Sequence, residues 1–159
     1  MNKLKGKKGF TLIEILVVIG IIAVLAAIVI IAINPARQFA QARNTQRTSN
    51  VESILNAIGQ RMADNKGLFV STGCTVDIPT ATGTISSSGI NIASCLVPTY
   101  MPSMVIDPTG TTTAPTCTPI YTDSSNYNTC YQVVKDASTG RVTVIAPDAE
   151  LGATISLIR

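Results

Sequence analysis

Gly9-Phe10-Thr11-Leu12-Ile13-Glu14 runs directly into ILVVIGIIAVLAAIVI at residues 15–30. From Phe10 to Ile33 the chain carries one charge, Glu14. The run predicts a single helix. Its 24 residues would span roughly 36 Å, enough to cross a hydrocarbon core of about 30 Å. The preceding NKLKGKKG, residues 2–9, is short and basic. Its lysines favour a cytoplasmic N-terminus and export of the remainder. Arg37, Arg43 and Arg47 on the far side weaken that bias. Only Arg37 lies close to the apolar boundary, so the N-in orientation is the expectation.

Composition leaves three fates for this segment. A secretory signal could be cut near Ala26, since Val24-Leu25-Ala26 loosely suits a small-residue site. An uncleaved signal anchor is the second. The third is a leader cut ahead of the apolar stretch. Apolar character continues after Ala27 through IVIIAI, for which a discarded signal has no use. Glu14 opposes the first two fates: a carboxylate inside an apolar helix costs roughly 2.5–3.5 kcal/mol and is a functional candidate by default.

A basic leader, a glycine, then Phe-Thr-Leu-Ile-Glu opening an apolar helix resembles the type IV prepilin signature. The resemblance covers about residues 1–65 well and the remainder only in general layout. It implies that a membrane aspartyl prepilin peptidase cuts between Gly9 and Phe10 and methylates the new amine of Phe10. It also implies that Glu14 is the assembly glutamate. The implied partners are identical or related pilin subunits, the prepilin peptidase/methyltransferase, and an assembly platform with its ATPase. The implied location is the cytoplasmic membrane, single-pass, before assembly, and a cell-surface pilus or envelope pseudopilus afterwards. Many family members carry a proline nearer the middle of the apolar helix. Here residues 10–33 contain none, and Gly20 is the only weak point.

The residues give the motif a physical reason. Cleavage would leave Phe10 with a positive amine, and methylation would keep that charge. Glu14 stands four residues later, where a carboxylate also suits the positive end of the helix dipole. A buried carboxylate needs a partner. The Phe10 amine of the next subunit is the best placed; pairing with its own amine, or snorkelling to headgroups, is the alternative.

Beyond the apolar run, Asn34-Pro35 should kink or interrupt the helix. Val51, Ile54, Leu55, Ile58 and Met62 then recur at helical spacing. Asn65-Lys66-Gly67 supplies a polar last turn and a glycine C-cap. Phe39 is expected on the same stripe or against a neighbouring subunit, with Arg43, Arg47 and Asn50 facing elsewhere. No aromatic platform accompanies Arg37, Arg43 and Arg47, so they are read as a solvated or subunit-covered face rather than a nucleic-acid site. A helix from residue 10 to about 65 would be roughly 84 Å long. A small domain cannot cover it, so lipid or other subunits must bury its first half.

The expected fold class is α+β: a long N-terminal helix with a small antiparallel sheet head packed on its C-terminal half. The divisions are a leader at 1–9, a transmembrane or assembly helix at 10–33, an amphipathic continuation at 34–66 and an exported head at 67–159. Strands are expected at Cys130–Lys135 and Arg141–Ile145, joined by a turn ending at Gly140, and at Ala153–Ile158. Shorter extended pieces are expected at Leu68–Ser71, Thr75–Ile78, Thr84–Ser86 and Ile90–Ala93, with a long loop over 107–129. Loops 79–94 and 107–129 are expected to face outward and set adhesion or contact specificity.

The four cysteines are Cys74, Cys95, Cys117 and Cys130. No two are spaced as C-x-x-C, which disfavours zinc and dithiol motifs. An even number in an exported segment suggests disulfides. Of three connectivities, nearest neighbours are expected: Cys74–Cys95, and Cys117–Cys130 across the turn-rich Asp123–Asn126. Free buried thiols in a reducing compartment are the alternative.

Leu96–Pro108 resembles the connector before the sheet in major pseudopilins of type II secretion, some of which bind calcium. Here Asp107, Asp123, Asp148 and Glu150 do not alternate as calcium ligands do. They are read as turn formers, and no metal or cofactor is expected.

The chain has 12 basic and 9 acidic residues and no histidine. Four lysines lie in residues 1–9. Without them eight basic residues face nine acidic ones, so charge gives little support to a nucleic-acid partner. The lack of histidine removes the usual general base and most zinc sites. No nucleophile elbow or phosphate-cradling loop is present. A structural subunit is expected rather than an enzyme. The rival is an uncleaved, anchored binding module that does not polymerise.

Overall fold

A computed structural model describes residues 9–32, 34–108 and 117–159. Most of the expected leader, Ile33, and residues 109–116 of the expected loop lie outside the described residues. Backbone packing divides the chain into Met1–Gln38 and Phe39–Arg159.

The apolar run forms α1, Leu12–Ala32. A second helix, α2, spans Pro35–Asp64. Asn34 sits between them and caps α2: the Arg37 amide donates to Asn34 Oδ1 at 3.2 Å. Pro35 therefore opens a helix, where its missing N–H would be an orphan anyway. At the other end the Gly67 amide donates to the Met62 carbonyl at 2.7 Å. Lys66 takes the left-handed turn before it, with φ 57°, so the stop is a Schellman motif with lysine at the twist.

Val51, Ile54, Leu55 and Ile58 are buried, and Met62 packs half-buried beside them. They meet a five-stranded antiparallel sheet made of β1 (Gly83–Ser86), β2 (Ile120–Asp123), β3 (Asn126–Lys135), β4 (Val142–Ala146) and β5 (Ile155–Ile158). The order is β1-β3-β4-β5, and β2 also pairs with β3. Along β3 the buried side chains Tyr127, Thr129, Tyr131 and Val133 alternate, the period-two pattern of a strand with one face on a core. Ile78, Ile85, Ile92, Leu96 and Val144 complete that core.

The architecture is α+β as expected, with differences in the weaker elements. Leu68–Ser71 and Thr75–Ile78 form no strand; a single bridge joins Ser71 to Cys74. Ile90–Ala93 gives way to a one-turn helix, α3, Ala93–Leu96. The expected loop over 107–129 holds all of β2 and the start of β3. Asp123 Oδ1 turns the chain between them by accepting from the Ser125 amide (2.7 Å), its hydroxyl (2.6 Å) and the Asn126 amide (3.0 Å). The polar spelling Asn126-Tyr127-Asn128-Thr129 hides a strand because buried Thr129 spends its hydroxyl on the Ile85 carbonyl at 2.8 Å.

β3 bulges opposite β1, where the register shifts between Thr84 and Ser86. Cys130 lies in the bulge with φ 62° and is bonded to Cys117. Cys74 is bonded to Cys95. The bulge frees backbone groups, and side chains take them up: the Cys130 amide donates to Asn128 Oδ1 and the Tyr131 amide to Thr129 Oγ1. The Thr129 carbonyl is left to accept from the Asp107 amide at 3.0 Å.

Candidate functional site

Two polar constellations stand out, one at the start of α1 and one along α2.

Thr11 is the N-cap of α1 and Glu14 its third helical residue. The Glu14 amide donates to Thr11 Oγ1 at 3.3 Å. In return Glu14 Oε2 accepts from the Thr11 amide at 2.8 Å and from the Thr11 hydroxyl at 2.9 Å. This is a capping box: two orphan amides of the helix end are satisfied reciprocally. The Thr-x-x-Glu spelling carries it, but read for charge alone the sequence points only to Glu14. The structure thus gives Glu14 a partner at its own helix start, Thr11.

The Gly9–Phe10 peptide bond lies just outside the box in exposed, non-helical backbone. A Cβ built on Gly9 would meet nothing within 4 Å. Phe10 is 84% exposed. Behind it Leu12–Ile30 is long and apolar enough to cross a membrane, and none of it is buried within the chain. Among the described residues, nothing covers these aliphatic side chains.

Along α2 the expectation for the arginines is overturned. Arg43, Arg47 and Asn50 do not face away from the core. Arg47 is 0% exposed and Asn50 is buried. Ala40, Arg47, Asn50, Val51, Ile54, Ile58 and Arg61 are all buried, so one helical stripe mixes polar and apolar side chains. Phe39, by contrast, is 65% exposed and off the stripe.

Asp107 and Glu150 are likewise more than turn formers. Arg47 Nε and Nη2 donate to Asp107 Oδ2 (2.7 Å) and Oδ1 (3.1 Å). Arg47 Nη1 reaches Glu150 Oε2 at 2.9 Å, and Arg43 grips both Glu150 oxygens at 2.6 Å. Amides set the carboxylates in place. Asn50 donates to the Ile106 carbonyl beside Asp107 (3.0 Å) and to the Tyr131 hydroxyl (2.9 Å). Asn44 accepts from the Glu150 amide (2.9 Å) and donates to its carbonyl (2.8 Å).

Burial works against the Arg47 charge, but the bonds to Asp107 and Glu150 outweigh it and the guanidinium is held more firmly protonated than usual. Burial pushes the Tyr131 hydroxyl up to about 12. The Arg43 bonds, aided by Arg47, pull the Glu150 carboxyl down to about 2. A carboxyl depressed on folding adds stability above its unfolded value of 4.5 and loses it as pH falls toward the folded one. The unfolding midpoint should therefore drop between about pH 4.5 and 2, and Glu150→Gln should flatten that drop while lowering stability at pH 7. A pH series of urea melts checks both.

The network has the chemistry of a structural clasp. Among the described residues, no group of three His, Cys, Asp or Glu could hold a metal ion. A groove of about 620 Å³ lies at the far end of the sheet, lined by Leu68, Phe69, Ile78 and Val142 among others. At its rim Lys135 pairs with Asp77 at 2.8 Å.

No curated protein and no solved structure matches the chain. Residues 4–33 match the model of the prokaryotic N-terminal methylation motif, and with it the chain carries the prepilin-type signature of type IV pilins and pseudopilins.

Proposed function

We propose that this chain is a structural subunit of a type IV pilus or pseudopilus. It is made as a precursor anchored in the cytoplasmic membrane, N-terminus inside, and cut between Gly9 and Phe10 by a prepilin peptidase that also methylates the Phe10 amine. An assembly platform driven by its ATPase then draws it out of the bilayer. In the filament, aliphatic faces of α1 from neighbouring copies replace lipid, and Glu14 meets the Phe10 amine of an adjacent copy. The head, residues 67–159, is carried outside and held together by two disulfides.

One observation carries this reading: from Leu12 to Ile30, α1 is uncovered and aliphatic, yet has a single carboxylate at its start. Hydrocarbon alone would account for the aliphatic surface and disfavour the acid. A bundle of identical helices, each bringing a new amine, accounts for both. The methylation motif over residues 4–33 supports the same order of events.

Intact-mass analysis of protein sheared from cell surfaces, or recovered from envelope filaments, tests the reading. The expected mass lacks residues 1–9, carries one added methyl group and two disulfides, and places the methyl on Phe10. Recovery of uncut monomer alone would point instead to an anchored module that does not polymerise.

A further inference from the structure

We infer that Leu151 of one copy docks in an apolar groove at the opposite end of the head of a second copy, a head-to-tail contact between subunits. The inference rests on the proposed function and adds to it the place where two heads meet. Leu151 is 55% exposed. Its φ is 59°, a left-handed conformation that disfavours branched side chains and suits glycine or asparagine. Such strain persists only where the surroundings fix it. Here they do so through Glu150, its neighbour. Arg43 grips the Glu150 carboxylate at 2.6 Å and Arg47 reaches it at 2.9 Å. Asn44 bonds both the amide and the carbonyl of Glu150. An apolar side chain is thus held outward from a fixed base.

The groove holds about 320 Å³ and is lined by Ile58, Gly59, Met62 and Ala63 of α2, by Val142 of β4 and by Arg159. Arg159 lies along Gly59, 3.4 Å from where a Cβ would stand, and donates to Asn56 at 2.8 Å. Knob and groove stand at opposite ends of the head. The knob is tied to Asn44, and from there to Ala63 α2 rises roughly 28 Å. The β4–β5 hairpin agrees: Ala146 pairs with Ile155 at the knob end, and Val142 bonds Arg159 at the groove end. Leu151 therefore cannot fill the groove of its own chain, but a second copy brings the two together. The two surfaces differ, so the contact is heterologous, and its repetition builds a filament where the rotation does not close. Charge points the same way. At the knob Arg43 and Arg47 are matched by Glu150 and Asp107, and Asp148 makes that end acidic. Arg159 lies at the groove, and Lys66 adjoins its lining residue Gly67.

Variants of the full-length chain, produced in the host, test this. Leu151→Asn, replacing the chromosomal copy, removes the knob but suits the left-handed backbone better. Its head should unfold at a urea midpoint equal to or above the parent's. The share of cut subunit found in filaments should fall about tenfold, the scale of one buried leucine. The double variant Leu151→Cys/Ala63→Cys, co-produced with the parent so that filaments form, is then treated with a short thiol-to-thiol crosslinker. It should give a ladder of multimers, and neither single variant should. The inference falls if Leu151→Asn assembles like the parent. It falls if the Leu151→Asn head is less stable than the parent's, because Leu151 would then serve folding. It falls too if crosslinks are absent, or if the Leu151→Cys single variant alone yields dimers, because the contact would then lie elsewhere or be two-fold. A parent chain that forms no filaments would instead remove the proposed function.

Discussion

Asp107→Ala should lower the unfolding free energy of the head by about 3–5 kcal/mol, the cost of stranding one member of a buried ion pair. Both side chains of the pair are 0% exposed, so removing the carboxylate takes a bidentate partner from a buried guanidinium. Glu150 reaches only one guanidinium nitrogen and is already shared with Arg43. Arg47→Ala should cost a similar amount by taking the guanidinium away from the buried Asp107 carboxylate. The double variant should lose clearly less than the sum, with coupling of about 0.5–3 kcal/mol, since it removes both charges together. All four tyrosines, Tyr100, Tyr121, Tyr127 and Tyr131, lie in the Phe39–Arg159 unit. Urea unfolding of the full chain in detergent, followed by near-ultraviolet dichroism in the tyrosine band, therefore reads this unit. A loss for Asp107→Ala no larger than about 1 kcal/mol, the value of an exposed pair, would show that the buried pairing does not hold the head together.

The same pair shows where sequence reading stops. The Val51–Met62 stripe and the β3–β4 hairpin are legible because apolar spacing reports them directly. Arg47 lies on the continuation of that stripe, but a periodicity scored on apolar residues passes over it. Its partners, Asp107 and Glu150, stand 60 and 103 positions away. Only the folded chain brings them together, by way of Asn50 at Ile106 and Asn44 at Glu150. Nothing local to Asp107 separates it from a turn former such as Asp123. The strand beginning at Asn126 was hidden for a related reason: its buried polar residue is satisfied by a carbonyl on β1. At α1 the balance is reversed. The charge and the apolar run are plain in the sequence, and so is Thr-x-x-Glu, a local signal whose meaning needs no tertiary partner.

Glu14→Gln should be cut after Gly9 and then fail to assemble, with filament yield down by about a hundredfold or more. Glutamine serves as well as glutamate at the third position of a capping box. The substitution therefore keeps the helix start and removes only the charge. Without that charge, an adjacent Phe10 amine enters an apolar bundle unpaired. Stranding a buried charge costs about 3–5 kcal/mol, and each 1.4 kcal/mol is tenfold in an equilibrium. Glu14→Asp keeps the charge but is one methylene shorter, so it should fall between glutamine and the parent. The measurement is the ratio of cut subunit in sheared filaments to cut subunit in the membrane. Parental filament yield from Glu14→Gln would mean that Glu14 acts only as a helix cap, and the amine would need another partner. In the described chain no second carboxylate lies on α1 to provide one, so the cap and the charge are separable roles of a single side chain.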